Sequence, residues 1–129
     1  MSFLAKLNVD GNELNVLECS FSFSQDINAI GQPSSIPVGG TVELTVESTG
    51  GTNLFDWMIS ATQVKSGTVT FYRRDAMSKL KELIFKDAHC IDYNEHYKHN
   101  GEFPMQTTIT ISANVLTLND SQFKNNWSK

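Results

Sequence analysis

The sequence predicts a mainly β fold, an antiparallel β-barrel of two packed sheets with one short flanking α-helix. Three observations predict this class. Runs of alternating apolar and polar residues recur along the chain, and turn-forming segments separate them. Helical spacing of apolar residues is confined to one short stretch after residue 50. The segment 67–118 holds three long runs joined by short turns, as in a meander. The length of 129 residues fits a single domain, residues 1–129.

Residues 3–9 and 13–25 are predicted to form a hairpin. The Asp10-Gly11 pair suits its tight turn, because glycine tolerates positive φ and aspartate bonds its own backbone. After Val16 the apolar alternation changes phase by one residue, which is the effect of a β-bulge. We therefore expect the second strand to be bent.

Residues 26–39 interrupt the alternation. Their glycines and prolines cannot sustain a ladder, so a loop of about 14 residues is expected here. Loops of this length in small domains are usually either functional or mobile. Alternation returns over residues 41–47, where Val42, Leu44 and Val46 share one face.

One short helix is predicted directly after a glycine pair. Leu54/Met58 and Phe55/Ile59 are i,i+4 pairs, and Trp57 adds a large apolar surface. A helix of about two to three turns cannot stand alone, so it must dock on the sheet. We expect Trp57, Phe55 and Met58 to pack into the core rather than to form a binding patch.

Three further strands are predicted towards the C terminus, over 67–74, 80–98 and 105–115. Hairpin turns at 75–78 and 99–102 join them. On the long middle strand, the residues expected to share one phase are Leu83, Phe85, His89, Ile91, Tyr93 and Tyr97. On the last strand, the corresponding residues are Met105, Thr107, Ile109, Ile111, Ala113 and Val115.

Composition and charge argue against several classes of function. The formal net charge of −4 argues against a protein that coats nucleic-acid phosphates. No window of about 18 apolar residues predicts a membrane span. The first residues lack the pattern of a cleavable signal peptide, so we expect cytoplasmic synthesis. Cys19 and Cys90 lie in strand-like runs and are expected to be buried thiols in a reducing compartment.

No catalytic, metal or cofactor site is predicted. His89 and Cys90 are adjacent on a strand and point to opposite faces, so they cannot easily bind one ion. His96 and His99 lie near a hairpin tip and are expected to be exposed. Two alternatives stay open at this point, a metal-dependent hydrolase built on these two histidines and a small-molecule-binding barrel of lipocalin type.

Strand length and one charged turn favour self-assembly. Long strands in a small domain leave backbone N–H and C=O groups at any unclosed edge, and sister copies can cover them. The cations that flank the turn after residue 72 are Arg73, Arg74, Lys79 and Lys81. They predict either a solvated hairpin tip or a charged contact that sets the register between subunits or rings.

Several segments, collinear over nearly the whole chain, resemble the Hcp (TssD) family of type VI secretion, in its sequence-divergent branch. Near the start these are Met1-Ser2-Phe3-Leu4-Ala5-Lys6-Leu7 with Asp10-Gly11, and Phe21-Ser22-Phe23-Ser24-Gln25-Asp26 followed by Gly31-Gln32-Pro33-Ser34-Ser35. Further on they are Val46-Glu47-Ser48-Thr49 with Leu54-Phe55-Asp56-Trp57-Met58, Phe71-Tyr72-Arg73-Arg74-Asp75, and Pro104-Met105 with Thr108-Ile109-Thr110-Ile111-Ser112-Ala113. The tail over 120–129 is not part of this resemblance.

The resemblance implies a structural, non-enzymatic β-barrel subunit of a tube. It implies self-association into hexameric rings that stack into an inner tube, with sheath and spike proteins of the secretion apparatus as partners and effector proteins in the lumen. It also implies secretion without a cleaved leader, with no nucleic-acid partner and no membrane insertion. A tail-tube subunit of another contractile injection system would share this architecture. The loop is implied to reach the adjacent ring, through Gly31, Gln32, Pro33, Ser34, Ser35, Ile36, Pro37, Val38 and Gly39.

Overall fold

The computed structural model describes residues 4–34, 38–73 and 78–125. The strands are β1 (Leu4–Val9), β2 (Asn12–Phe21), β3 (Thr41–Glu47), β4 (Lys65–Tyr72), β5 (Lys79–Tyr97), β6 (Met105–Leu118) and β7 (Ser121–Lys124). The helix α1 (Asn53–Ile59) lies between β3 and β4. None of the helices in the described part of the chain combines the length and the apolar character that crossing a bilayer requires.

The strands form one antiparallel sheet that closes on itself. Its order is β3-β2-β1-β4-β5-β6-β7, and an additional pairing between β3 and β6 closes a six-stranded barrel. β7 continues the sheet beyond β6. The prediction of a mainly β antiparallel barrel with one short helix is therefore confirmed, and its two packed layers are opposite sides of a single closed sheet.

The first hairpin folds as its sequence predicts. Asp10 and Gly11 have φ values of 55° and 74°, the left-handed pair that a tight two-residue turn requires. The register between β2 and β3 shifts between Val16 and Glu18, so the expected bulge is present. Because of this shift, β2 can bend around the barrel while its two halves keep apolar side chains towards the core.

The barrel interior is filled by side chains. Val42, Leu44 and Val46 of β3 are all buried, as the alternation predicts. The other large, almost fully buried side chains are Trp57, Phe85, Leu7, Leu83, Ile109, Ile111 and Val69. A lipocalin-type barrel needs an apolar cavity inside, and the positions that would line it are occupied here by this packed core.

The phase predicted for β5 is wrong in its middle. Asp87 has a φ of 52°, and the four β5 residues from Phe85 to Ala88 oppose only the three β4 residues from Lys65 to Gly67. Ala88 and Cys90 are therefore buried, whereas Ile91 is 51% exposed. A second register shift between Cys90 and Asp92 returns Tyr93 to the core side. Two local irregularities thus cancel, a pattern that simple alternation cannot reveal.

The end of β6 shows a matching change of phase. Ala113 and Leu116 are buried, three residues apart, and they face Ala88 and Phe85 of β5. Val115, which strict alternation places with Ala113, is only partly buried. The break occurs at the same level in both strands, so the buried pairs stay opposite one another.

Helix α1 closes one end of the barrel. Trp57 is 1% exposed, its ring stacks on Phe85 at 6.4 Å, and its Nε1–H donates to the carbonyl oxygen of Ala88 at 3.1 Å. Ala88 is the last β5 residue that pairs with β4, so its carbonyl would otherwise lie unpaired at the sheet edge. Met58 packs on the core, but Phe55 is 46% exposed and contacts Tyr93, so the expectation of burial is wrong for Phe55.

Candidate assembly interface

The two ends of the barrel differ in what covers them. At one end lie the β1–β2 turn, the start of β4 and the tip of the β5–β6 hairpin, together with α1. We call this the capped end. At the other end lie the β4–β5 turn and the connection between β2 and β3, which we call the open end. Any end-to-end contact between copies must use these two surfaces.

The connection over residues 22–40 leaves the open end as an arm with hairpin pairing. Ser24 and Val38 form a bridge, with Ser24 N to Val38 O at 3.0 Å and Val38 N to Ser24 O at 2.7 Å. Ile27 and Pro33 form a second bridge nearer the tip. The predicted loop therefore has a partly paired backbone, despite its glycines and prolines.

The tip of the arm is organised by Asn28. Its backbone N–H donates to Gln32 O at 2.8 Å, and its Oδ1 accepts the backbone N–H groups of Ile30 and Gln32, both at 3.1 Å. Gly31 has a φ of 86°, a conformation that favours glycine at this turn. The tip thus has a defined set of backbone hydrogen bonds rather than an irregular path.

The arm exposes apolar side chains. Ile27 is 67% exposed, Ile30 77% and Val38 56%. Single exposed apolar residues are ordinary, but here several occupy one protruding element. Of the predicted stacking residues, Gly31, Gln32, Pro33, Ser34, Val38 and Gly39 belong to this arm, and Ser35, Ile36 and Pro37 lie outside the described residues.

The base of the arm is fixed by the C-terminal segment, which sequence reasoning missed. Phe23 packs edge-on against Phe123 of β7 at 4.7 Å. Asn125 Nδ2 donates to Gly39 O at 3.3 Å and to Ala113 O at 2.8 Å. Phe123 is a usable signal, since it and Trp127 are the aromatic residues of an otherwise polar tail, whereas nothing local distinguishes Asn125.

The predicted cations gather at the open end. Arg73 follows β4 directly and is exposed, and its backbone N–H donates to Ser78 O at 2.7 Å. Lys79 forms an ion pair with Glu82 at 3.1 Å. Lys81 lies opposite Phe71 and helps to line the open mouth of the barrel. Arg74 lies outside the described residues.

Two of the strand edges that lack a partner in the described part of the chain lie beside the β5–β6 ladder. β5 pairs with β4 only as far as Ala88, so its residues 89–97 pair with β6 alone. β7 pairs with β6 and carries no further strand on its other side. The two edges lie on opposite flanks of the β5–β6 ladder. Each presents backbone groups that another chain can pair with.

Neither cysteine nor histidine chemistry points to a reactive centre. Cys19 and Cys90 are free thiols, and burial raises the pKa of Cys19 to about 11 and also raises the pKa of Cys90. His96 and His99 are exposed near the β5–β6 tip, as expected. Over residues 4–34, 38–73 and 78–125, no group of three or more His, Cys, Asp or Glu side chains could hold a metal ion.

Comparison with known proteins gives a consistent result. The family model for hemolysin coregulated protein Hcp (TssD) matches residues 1–128. The structure of Hcp1 from Flavobacterium johnsoniae is 39% identical, with a TM-score of 0.89, and the match covers 95% of this chain and 99% of that one. No curated protein matches the chain significantly.

More distant structures share the fold. Hcp1 from Salmonella typhimurium has 15% identity and a TM-score of 0.74, covering 95% of this chain and 92% of that one. The secreted protein Hcp3 from Pseudomonas aeruginosa has 12% identity and a TM-score of 0.64, covering 99% of this chain and 100% of that one. At these identities the likeness concerns the barrel architecture alone.

Proposed function

This chain belongs to the hemolysin coregulated protein (Hcp, TssD) family, the secreted structural tube proteins of type VI secretion, and from that premise we propose that it forms hexameric rings that stack into the inner tube. The observation that supports assembly most directly is the pair of unpaired strand edges on opposite flanks of the β5–β6 ladder. Two different edges on one protomer make a heterologous contact, and such contacts repeat until a ring closes.

A charge placed on one of these edges tests the ring. Ile91 lies on the unpaired part of β5 and is 51% exposed, so Ile91→Lys should leave the fold intact while it charges the edge. We expect the wild type to give hexamers by native mass spectrometry and annular particles by electron microscopy, and the variant to give monomers. Asn8→Lys is the matched control, because Asn8 is exposed but its strand is paired on both sides.

The outcomes of this experiment separate clearly. Wild-type protein that stays monomeric at high concentration would contradict the tube assignment. Rings that form equally well with Ile91→Lys would leave the tube assignment standing and remove the β5 edge from the ring contact. Loss of rings with Asn8→Lys as well would mean that charge in general, rather than this edge, controls closure.

The arm is the proposed contact between rings. It protrudes from the open end, its backbone is hydrogen-bonded, and its exposed side chains Ile27 and Ile30 are apolar at the tip. Burying two such side chains against a neighbouring ring would contribute about 3–6 kcal/mol per protomer before the cost of ordering. A sixfold arrangement multiplies that contribution, so even a small arm can hold rings together.

Two variants test the arm, one that keeps its hydrogen-bonded turn and one that removes it. Ile27→Ser with Ile30→Ser keeps the turn around Asn28, and we expect rings to persist while stacked tubes disappear from electron micrographs. Deletion of residues 30–38 should have the same effect. Gln25→Ser is the matched control, since Gln25 is an exposed polar residue of the same arm. Tubes of normal length from the doubly substituted protein would contradict this role.

The remaining partners follow from the tube model. A tube of this kind would be surrounded by a contractile sheath, carry a spike at its tip and hold effector proteins in its lumen. The protein would then be synthesised in the cytoplasm and leave the cell without a cleaved leader. Co-purification of sheath, spike or effector proteins with tagged rings tests these partners one by one, and loss of secretion in a sheath-deficient strain tests the route.

A further inference from the structure

A cleft at the capped end has features that the tube assignment does not use. It measures about 250 Å³ and lies between the β1–β2 hairpin, the segment after β3, α1 and the far part of β5. Its floor is apolar, formed by Val9, Leu14, Val46 and Leu54, and all four side chains are buried. Drug-sized ligands usually need about 300–1,000 Å³, so this volume suits a single long side chain better than a small-molecule ligand.

The rim of the cleft carries two carboxylates, Glu13 and Glu95. Glu95 is held in place by hydroxyl groups, since Tyr93 OH donates to its Oε1 at 2.9 Å and Thr107 Oγ1 donates to its Oε2 at 3.4 Å. Ser48 Oγ lies 2.6 Å from Thr107 Oγ1 and extends this chain into the wall. Burial and the neighbouring Glu95 carboxylate raise the pKa of Tyr93 to about 12, so its phenol remains a donor.

No cation of the described residues pairs with either carboxylate. The ion pairs in that part of the chain join Lys65 to Asp10 and Lys79 to Glu82. A fixed carboxylate above an apolar floor, beside the rings of Phe55 and Tyr93, matches one kind of group. That group is an arginine side chain, whose stem covers apolar surface and whose planar head stacks on aromatics and bonds carboxylates in pairs.

The charges near the two ends of the barrel differ. The acidic residues of the capped end are Asp10, Glu13, Glu47, Asp56, Asp92, Glu95 and Glu102, against the cations Lys65 and Lys98. The cations of the open end are Arg73, Lys79, Lys81 and Lys124, beside the acids Asp26, Glu43, Glu82 and Asp120. The capped end is therefore acidic, whereas the charges of the open end balance and the cations there include the exposed Arg73.

We propose that the cleft receives Arg73 from a second copy of this chain in the adjacent ring, and that this contact gives the tube a single head-to-tail polarity. The proposal rests on the tube function. Arg73 is exposed at the β4–β5 turn, and no ion pair to it occurs among the described residues, whereas Lys79 is paired with Glu82. The eight residues of β4, about 26 Å of extended chain, separate Arg73 from the cleft of its own molecule. The pair can therefore form only between copies.

Stacking in the opposite sense would be unfavourable. Two capped ends facing each other would place Glu13 and Glu95 against like charges, which costs free energy, and would leave Arg73 without a carboxylate. Two open ends would likewise leave Arg73 without the carboxylates of the cleft. In a head-to-tail contact the open end of one copy meets the capped end of the next, so Arg73 meets a carboxylate. One open end and one capped end then stay free at the two ends of the tube, so growth can continue.

A charge exchange tests the contact. We expect Arg73→Glu and Glu95→Arg each to raise the protein concentration needed for stacking at least about tenfold. Sedimentation velocity and electron microscopy measure this concentration. A salt concentration of roughly 50 mM limits the screening of the charges. The combination of both substitutions should restore stacking, because the ion pair is re-formed with its partners exchanged. If Glu95→Arg disturbs folding, Glu95→Gln is the alternative variant. It removes the charge, keeps hydrogen-bonding atoms and should also weaken stacking.

Controls at each end make the result specific. Glu102→Arg and Lys124→Glu reverse charges at the same two ends, away from the cleft and from the β4–β5 turn that carries Arg73, and should have much smaller effects. Equal effects from these controls, or a double variant no better than the single ones, would overturn the proposal. Native mass spectrometry of the same samples reports ring formation separately, so wild-type protein that forms no rings would instead contradict the tube function.

Discussion

The indole of Trp57 connects α1 to the barrel, and its removal should cost more stability than any change on the outer face of the helix. Trp57 is 1% exposed, stacks on Phe85 and donates a hydrogen bond to Ala88 O at 3.1 Å. Trp57→Ala creates a cavity, which costs about 3–5 kcal/mol, and leaves the Ala88 carbonyl without its donor. Trp57→Phe keeps a ring against Phe85 and should lose about 1–3 kcal/mol, chiefly from the hydrogen bond.

The control for this prediction is on the same helix. Ile59 is 65% exposed, so Ile59→Ala should change the free energy of unfolding by about 0.5 kcal/mol or less. Urea unfolding followed by far-UV circular dichroism measures all three variants in the same way, because replacing Trp57 would remove one of the two tryptophans that fluorescence would report on. Self-association would add to apparent stability, so all variants are compared at one protomer concentration at which each protein is monomeric. A Trp57→Ala variant no less stable than Ile59→Ala would refute the assigned role of the indole.

Two further predictions concern packing and the thiols. Gly67→Ala should destabilise the fold by about 1–3 kcal/mol, because its Cβ would run into the β1 backbone and the Phe85 ring, whereas Gly50→Ala, with open space around it, should be nearly neutral in the same urea titration. Because Cys19 has a pKa of about 11 against the ordinary 9.0, its thiolate population at pH 8 should be about 100-fold lower than in the unfolded chain. Ellman's reagent should therefore react slowly with Cys19 and Cys90 in the native protein and quickly in denaturant. Stability should also fall as the pH rises from about 9 through 11, because the unfolded Cys19 thiol releases its proton first. A native reaction rate equal to the denatured one would show that burial does not protect these thiols.

The extent of sequence-based prediction differs between strands for a physical reason. In β3 the side chains alternate without interruption, so Val42, Leu44 and Val46 could be placed in the core from their spacing alone. In β5, Asp87 adopts a left-handed conformation and forms a bulge, so that one more residue lies on β5 than on the opposing part of β4. The next buried side chain after Phe85 is therefore that of Ala88. Aspartate is one of the few residues that accept a positive φ, but most aspartates do not adopt it, so the residue type alone does not predict the bulge. The β2 bulge could be predicted because the apolar alternation itself changes phase after Val16, whereas in β5 the buried residue after the bulge is the small Ala88, which leaves no such signal.

The candidate assembly interface could likewise be predicted only in part. The glycines and prolines of the connection after β2 predicted that a long segment leaves the barrel, and they did not predict its internal pairing. That pairing depends on the turn around Asn28 and on an anchor far along the chain, the Asn125 amide that donates to Gly39 O across 86 positions of sequence. A contact at this separation leaves no periodicity and no motif. The charged turn was predicted as a cluster, and its distance from the acidic cleft became apparent only with the strand order.

Closure of the barrel changes what self-assembly can use. If the sheet were open, long edges would offer many equivalent pairings, and copies could associate in several registers. Here the sheet satisfies most of its own backbone groups, and the edges left on β7 and on β5 beyond Ala88 are short. In the proposed tube, short and non-identical edges would specify the lateral neighbour, whereas the arm and the charged ends would specify the axial one. Lateral and axial contacts would then depend on different residues, so rings and tubes should be separable by substitution, through Ile91 for ring closure and through Arg73 for polarity.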